Sequence, residues 1–288
     1  MNDIFANKQS TCGVRYAILT TYDGSAFSGW QRQKNAISVQ QTLEDCWQKQ
    51  TGETIRLTGG SRTDAGVSAR GHVSSFCSKM PIPMNNIPLF WNAKLPDSIA
   101  VRKAIRVEDD FNPRYDALGK EYQYRILNRR VRPVLFRHLV AHVPGELDLS
   151  AMRQALPHFA GTHSFLALMD QGSPTKRPVR TIQHLELVDE DRLITLIVRG
   201  DGFLYHMVRI LAGTLVLIGQ YKMSPERVPA LLEAGDRTLA GPTMPPQGLT
   251  LERIFFAKTH FGGDCWPYED KRRKGMSSEE SDSYTLRP

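Results

Sequence analysis

The chain has 288 residues, 41% of them hydrophobic and 23% charged. These values are ordinary for a folded protein and exclude a disordered, fibrous or membrane-embedded bulk. Lys and Arg number 37 against 30 Asp and Glu, a formal charge of +7, and such an excess suits a polyanionic partner.

In chain order, residues 1–12 lack the basic-then-apolar order of a secretory signal and read as an N-terminal extension. Gly13 to Thr21 alternates like a strand and runs into the turn Tyr22-Asp23-Gly24. Ser38 to Gln50 reads as a helix: Ser38 with Gln41 makes a capping box, Val39, Leu43 and Cys46/Trp47 share one face, and Gly52 supplies the stop. Ile55 to Thr58 and His72 to Cys77 read as strands on either side of a Gly-rich loop. Pro83 to Trp91 reads as a short helix and Ile99 to Val107 as another strand.

A similar order then recurs. Glu121 to Asn128 is a strand and Ser150 to Gly161 a helix, with Met152, Leu156 and Phe159 on one face. Thr181 to Val188 and Leu193 to Arg199 form a strand pair, Leu204 to Ile218 an apolar helix, and Leu251 to Ala257 a last strand. The architecture expected is therefore α+β, in two similar lobes of residues 13–110 and 111–265 joined near Asp109 to Asp116. Residues 269–288 read as a polar, disordered tail whose basic and acidic residues cancel, so the positive excess belongs to the folded body.

Cys12, Cys46, Cys77 and Cys265 lie far apart with no C-x-x-C pair. That spacing argues against a zinc site or a disulfide framework and fits a reducing compartment. The most apolar stretch, Phe203 to Gly219, holds His206 and Arg209 and is too short for a membrane span. A soluble, cytoplasmic protein with no membrane partner is expected.

The most unusual local chemistry lies between Thr58 and His72. Asp64 is the only acid between Glu53 and Asp97, and Gly59, Gly60, Gly66, Arg62 and Arg70 surround it. Glycines let a loop turn sharply and approach a ligand, while a neighbouring guanidinium keeps a carboxylate ionised. An oriented catalytic carboxylate is one reading; a turn aspartate bonding its own backbone is the other. Arg209 is the one formally charged residue from Gly202 to Tyr221, so it either snorkels to water or meets an inward anion such as Asp64.

Three runs carry bases and no acids. Tyr122 to Gly145 holds Arg125, Arg129, Arg130, Arg132 and Arg137; Gln171 to His184 holds Lys176, Arg177 and Arg180; Gly24 to Leu43 holds Arg32 and Lys34 beside Phe27 and Trp30. Arginine with interleaved aromatics suits phosphate contact and base stacking, which favours RNA over a merely solvated charged face. No dinucleotide fingerprint, P-loop, H-E-x-x-H or G-x-S-x-G is present, and the eight His are scattered, so a mechanism without cofactor or metal is the economical one.

These residues resemble a known family. YDGSAFSGWQ at 22–31, SRTDAGVSA at 61–69, KEYQYRI at 120–126 and GFLYHMVR at 202–209 are similar to the successive motifs of the tRNA pseudouridine synthase A family. Val39-Gln40 with Leu43-Glu44, GTHSF at 161–165, Arg180-Thr181-Ile182 and GPTMPPQGL at 241–249 extend the likeness from about Val14 to Ala257. By position, the resemblance makes Asp64 the catalytic aspartate, Arg62 and Arg209 its paired arginines, and Tyr122 the tyrosine that stacks on the target uracil and helps remove a proton. Trp30, Gln31, Arg32, Arg129, Arg130, Lys176 and Arg177 are the expected RNA contacts. Ser61, Ser68, Ser164 and Arg70 depart from the usual pattern.

The fold implied is two lobes whose antiparallel and mixed sheets join into one long sheet flanking a basic cleft. The activity implied is isomerisation of uridine to pseudouridine at positions 38, 39 and 40 of the tRNA anticodon stem-loop, by a homodimer needing no cofactor. A synthase of the same type acting on another RNA, or a non-catalytic RNA-binding protein, are the alternatives. The set Arg62, Asp64, Tyr122 and Arg209 argues against the last.

Overall fold

The computed structural model describes residues 13–172 and 177–257. The expected N-terminal extension, Lys176, residues 258–265 of the second lobe and the tail lie outside the described residues.

The first half starts with β1 (Val14–Tyr22) and α1 (Val39–Thr51). The helix begins where Ser38 accepts the Gln41 backbone N–H at 3.2 Å, and it stops at Gly52, as the sequence predicts. The strand expected over Ile55–Thr58 shrinks to β2 (Thr58–Gly59), paired with the long β3 (Ser68–Ser78). The reason lies in two buried side chains of α1. Glu44 Oε1 accepts from the Leu57 N–H at 3.0 Å, and Gln40 Nε2 donates to the Leu57 carbonyl at 2.9 Å. They satisfy backbone groups that a neighbouring strand would otherwise pair. α2 (Ile87–Asn92) and β4 (Ile99–Arg106) complete this half. The two helices cover the sheet through Trp47, whose ring lies 4.7 Å from Trp91 and 5.2 Å from Phe76. Each such fully buried large side chain contributes about 1.5–3 kcal/mol by leaving water.

The second half runs β5 (Ala117–Leu127), β6 (Ala141–His142), α3 (Leu149–Phe159), β7 (Gly161–Ser164), β8 (Val179–Glu190), β9 (Leu193–Gly200), α4 (Met207–Gly219), α5 (Val228–Ala234) and β10 (Leu249–Phe256). The short β6, β7 and α5 have no counterpart in the sequence reading. α4 starts three residues later than its apolar run, because His206 sits at φ +61°, outside helical geometry. Residues 201–206 form a loop instead. A Cβ on Gly213 of α4 would lie 2.0 Å from the Pro242 carbonyl oxygen. Only glycine lets the 241–249 segment cross the helix so closely.

One ten-stranded sheet joins the halves in the order β4-β1-β3-β10-β5-β9-β8-β7, with β2 on β3 and β6 on β5. The β10–β3 and β5–β6 pairs are parallel and the rest antiparallel. This is the expected α+β fold with one long mixed sheet. Its last strand is the seam. Thr250 and Leu251 of β10 pair with Ser68 and Ala69 at the start of β3, while Leu251 also faces Tyr122 of β5. The loop carrying Asp64 is thereby set beside Tyr122.

Cys77 is disulfide-bonded, against the expectation from spacing, and Cys46 is free and buried. Linear separation does not limit which cysteines a fold brings together. Among the described residues, no helix is long and apolar enough to cross a membrane.

Candidate active site

Residues 60–67 connect β2 to β3 and are braced from below by the 24–30 segment. Trp30 N–H donates to the Thr63 carbonyl at 3.0 Å, and Gly66 N–H to the Phe27 carbonyl at 3.3 Å. Gly29, at φ +87°, has the Thr63 carbonyl oxygen 2.7 Å from where its Cβ would stand, so a side chain there would push the loop away. Trp30, expected as a base-stacking surface, is only 1% exposed and stacks at 3.6 Å on His72. With no ring face free for a base, it supports the loop instead. Burial pushes the His72 pKa down to about 3. Its neutral ring donates from Nε2 to the Ser61 carbonyl at 2.9 Å.

Above this brace, Arg62, Asp64, Tyr122, Phe203, Tyr205 and His206 line a pocket open to solvent. Arg209 projects from the first turn of α4. Its Nε donates to the Met244 carbonyl at 2.7 Å, and its Nη1 lies 3.5 Å from Asp64 Oδ2. Of the two outcomes the sequence leaves open for Arg209, the inward anion is the one present. Arg62 behaves differently: it is exposed, lines the same pocket and makes no ion pair among the described residues.

Tyr122 is 7% exposed, with its hydroxyl 2.8 Å from Ser61 Oγ and its ring edge-on to Phe203 at 5.3 Å. Burial pushes its pKa up to about 12, with the Asp64 charge adding to the rise. The phenol is therefore neutral at working pH.

Three residues escaped the sequence reading. His206 Nε2 lies 3.4 Å from Asp64 Oδ2, and its Nδ1 lies 2.7 Å from Asp170 Oδ2. Asp170 also accepts from Arg237 Nε and Thr243 Oγ1, each at 2.7 Å. Despite a desolvation cost, its hydrogen bonds to His206, Thr243 and Arg237 hold its pKa at about 2. Lys120 stands two residues before Tyr122 on the same face of β5. Burial, then Arg114 and Arg180, lower its pKa to about 8. Lys120 and His206 lie inside the motifs at 120–126 and 202–209 without having been singled out, and Asp170 lies outside every motif quoted.

The expected RNA contacts divide. Arg130 and Arg177 are exposed, with no ion pair among the described residues. Arg129 pairs with Asp191, Arg125 with Glu252 at 3.1 Å, and Arg32 with Glu44 at 2.9 Å and Asp45 at 3.1 Å. Gln31 is exposed and donates to Gln40 Oε1 at 2.7 Å. Asp191 and Glu252 come from distant segments and Glu44 and Asp45 from just past the end of their run, so a run without acids in sequence is partly neutralised in space.

The family model described as tRNA pseudouridine synthase matches residues 18–116 and 155–257. A protein of Clostridium kluyveri named tRNA pseudouridine synthase A is 43% identical over 239 residues, covering 83% of this chain and 98% of that one. Its namesake in Acetivibrio thermocellus is 41% identical with the same coverage. A solved Cbf5–Nop10–Gar1 complex is similar at a TM-score of 0.37 and 14% identity over 82% of this chain. This chain spans about half the length of that one, 48%.

Proposed function

The chain belongs to the tRNA pseudouridine synthase family, enzymes that isomerise uridine in tRNA, and from that premise we propose that Asp64 is its catalytic carboxylate, acting without a cofactor on uridines 38, 39 and 40 of the anticodon stem-loop. The observation that carries this reading is the asymmetry of the Asp64 carboxylate. His206 and Arg209 both meet Oδ2, and among the described residues no group donates to Oδ1. One oxygen is held, and the other is free to react.

The chemistry asks for such an oxygen. Uridine and pseudouridine are isomers, so the reaction exchanges an N1–C1′ bond for a C5–C1′ bond with no net oxidation. Asp64 either bonds to C1′ as uracil leaves with the N1–C1′ electron pair, or takes the C2′ proton as that bond breaks. Both routes need an ionised carboxylate, the role such groups play in retaining glycosidases. The detached uracil then turns and C5 bonds to C1′, displacing the Asp64 ester on the first route or as Asp64 returns its proton to C2′ on the second; the C5 proton leaves and N1 takes one up. A phenol with a pKa near 12 is a poor base at neutral pH. Tyr122 therefore serves as a ring wall and hydrogen-bond donor for the base, and the C5 proton passes to solvent or to a carboxylate.

The target base has to leave its stack to reach the pocket. Arg62, Arg130 and Arg177, free of ion pairs among the described residues, are the arginines we assign to the phosphates, with Gln31 as an exposed polar contact. The anticodon stem-loop and a homodimeric state rest on the motif resemblance. Asp64→Asn is the test: tRNA transcripts bind it normally and gain no pseudouridine, whereas the wild type converts positions 38–40. Conversion by a folded Asp64→Asn protein overturns the catalytic assignment, and conversion elsewhere overturns the site assignment.

A further inference from the structure

Asp64 lies at one end of a chain of hydrogen-bonding groups that no part of the reaction above has used. Asp170 lies at the other end, and His206 stands between them, 3.4 Å from Asp64 and 2.7 Å from Asp170. The direction of these bonds follows from Asp170. With Arg237 and Thr243 both donating to it and a pKa of about 2, it is a carboxylate at any working pH and only accepts. His206 Nδ1 therefore carries a proton. The remaining nitrogen, Nε2, lies 3.4 Å from Asp64 Oδ2, the oxygen that Arg209 also faces.

The backbone supplies an independent observation. His206 sits at φ +61° and ψ 5°, a left-handed conformation that costs a non-glycine residue about 1 kcal/mol or more. Glycine would adopt it freely, so the strain is offset by what the side chain contacts. Stacking of Tyr205 on the ring at 3.7 Å fixes the plane in which Nε2 points.

We propose that His206, aimed by Asp170, is a positioning residue for the isomerisation: its Nε2–H donates to Asp64 Oδ2 and turns Oδ1 into the pocket. This rests on Asp64 being the catalytic carboxylate. The ring donates from both nitrogens only as imidazolium, the form that two flanking carboxylates accommodate. The other charged or titratable groups around it are Arg62 on the Asp64 loop, Arg209 on α4, Tyr122 on β5, and Arg237 behind Asp170.

The experiment measures single-turnover rate and tRNA affinity for wild type, His206→Gln, His206→Gly and Asp64→Asn. A glutamine amide donates at every pH but carries no charge. His206→Gln is expected to react about tenfold more slowly, with tRNA affinity unchanged. His206→Gly relieves the backbone strain and removes the donor. It is expected to fold, by circular dichroism, and to react more slowly still. A wild-type rate in a folded His206→Gln or His206→Gly protein overturns the proposal. If that result accompanies an inert Asp64→Asn, the catalytic assignment stands and only the role of His206 falls. An active Asp64→Asn overturns both.

Discussion

Asp64 and Asp170 are two carboxylates reaching the same histidine, and their side chains are equally exposed, at 27%. They differ in how they are bonded. Asp170 takes three donors at 2.7 Å, on both of its oxygens. Asp64 is approached by two groups at 3.4 and 3.5 Å, both on one oxygen. A saturated carboxylate stabilises its surroundings and has nothing left to offer a substrate, whereas a half-satisfied one is poised to react. Solvent exposure does not separate the two. The number, distance and distribution of donors does.

The comparison predicts that activity and stability part company. The largest expected effect is that of Asp64→Asn, which lowers the rate by roughly a thousandfold or more while the thermal midpoint moves little. A large loss of stability in this variant would erase the distinction from Asp170. Arg209→Lys comes next. A lysine cannot donate in the fixed fork that spans Met244 and Asp64, so the rate is expected to fall about tenfold to a hundredfold with little change in tRNA affinity.

Asp170→Asn adds a loss of stability that Asp64→Asn does not show. Because the folded pKa of Asp170 is depressed to about 2, its stabilisation is complete above the unfolded carboxylate range. It is lost as pH falls from about 4 towards 2. The variant is therefore expected to be about 1–2 kcal/mol less stable at neutral pH. That deficit should shrink on acidification, which thermal melts at a series of pH values measure. A deficit that grows on acidification would contradict the sign.

The smallest effects sharpen the comparison on the surface, again between satisfied and unsatisfied groups. Arg130→Ala with Arg177→Ala is expected to weaken tRNA binding and flatten its salt dependence by roughly one unit per lost phosphate contact. Arg129→Ala, already paired with Asp191, should change the slope less. A flattening of about one full unit by Arg129→Ala alone would show that the Asp191 pair opens when RNA arrives.

Much of this was legible in one dimension. The alternation of β1, the capped start of α1 and the apolar run of α4 report burial directly, because side-chain periodicity is set by the local backbone. Asp64 stood out by its glycines and its isolation from other acids, and Arg209 by being charged on an apolar helix. Arg62 and Trp30 mark the limit. Both sit in the right motif, yet Arg62 leaves Asp64 unpaired from its side, and Trp30 supports the loop from beneath. A motif records which residues are needed together without recording which one faces the ligand.

By itself, then, the amino-acid order determined the element types, the α+β class, the carboxylate and the arginine that answers it. The tertiary structure decided that β10 would form the seam, that Arg209 would approach one oxygen of Asp64 across 145 positions of sequence, and that His206 and Asp170, 36 positions apart, would stand in line with it. It also decided which arginines of an acid-free run meet a distant acid and which remain free. Periodicity is a property of neighbouring residues, so it can be read locally. Hydrogen-bond direction and charge pairing depend on groups that become neighbours only when the sheet closes, so no local pattern contains them.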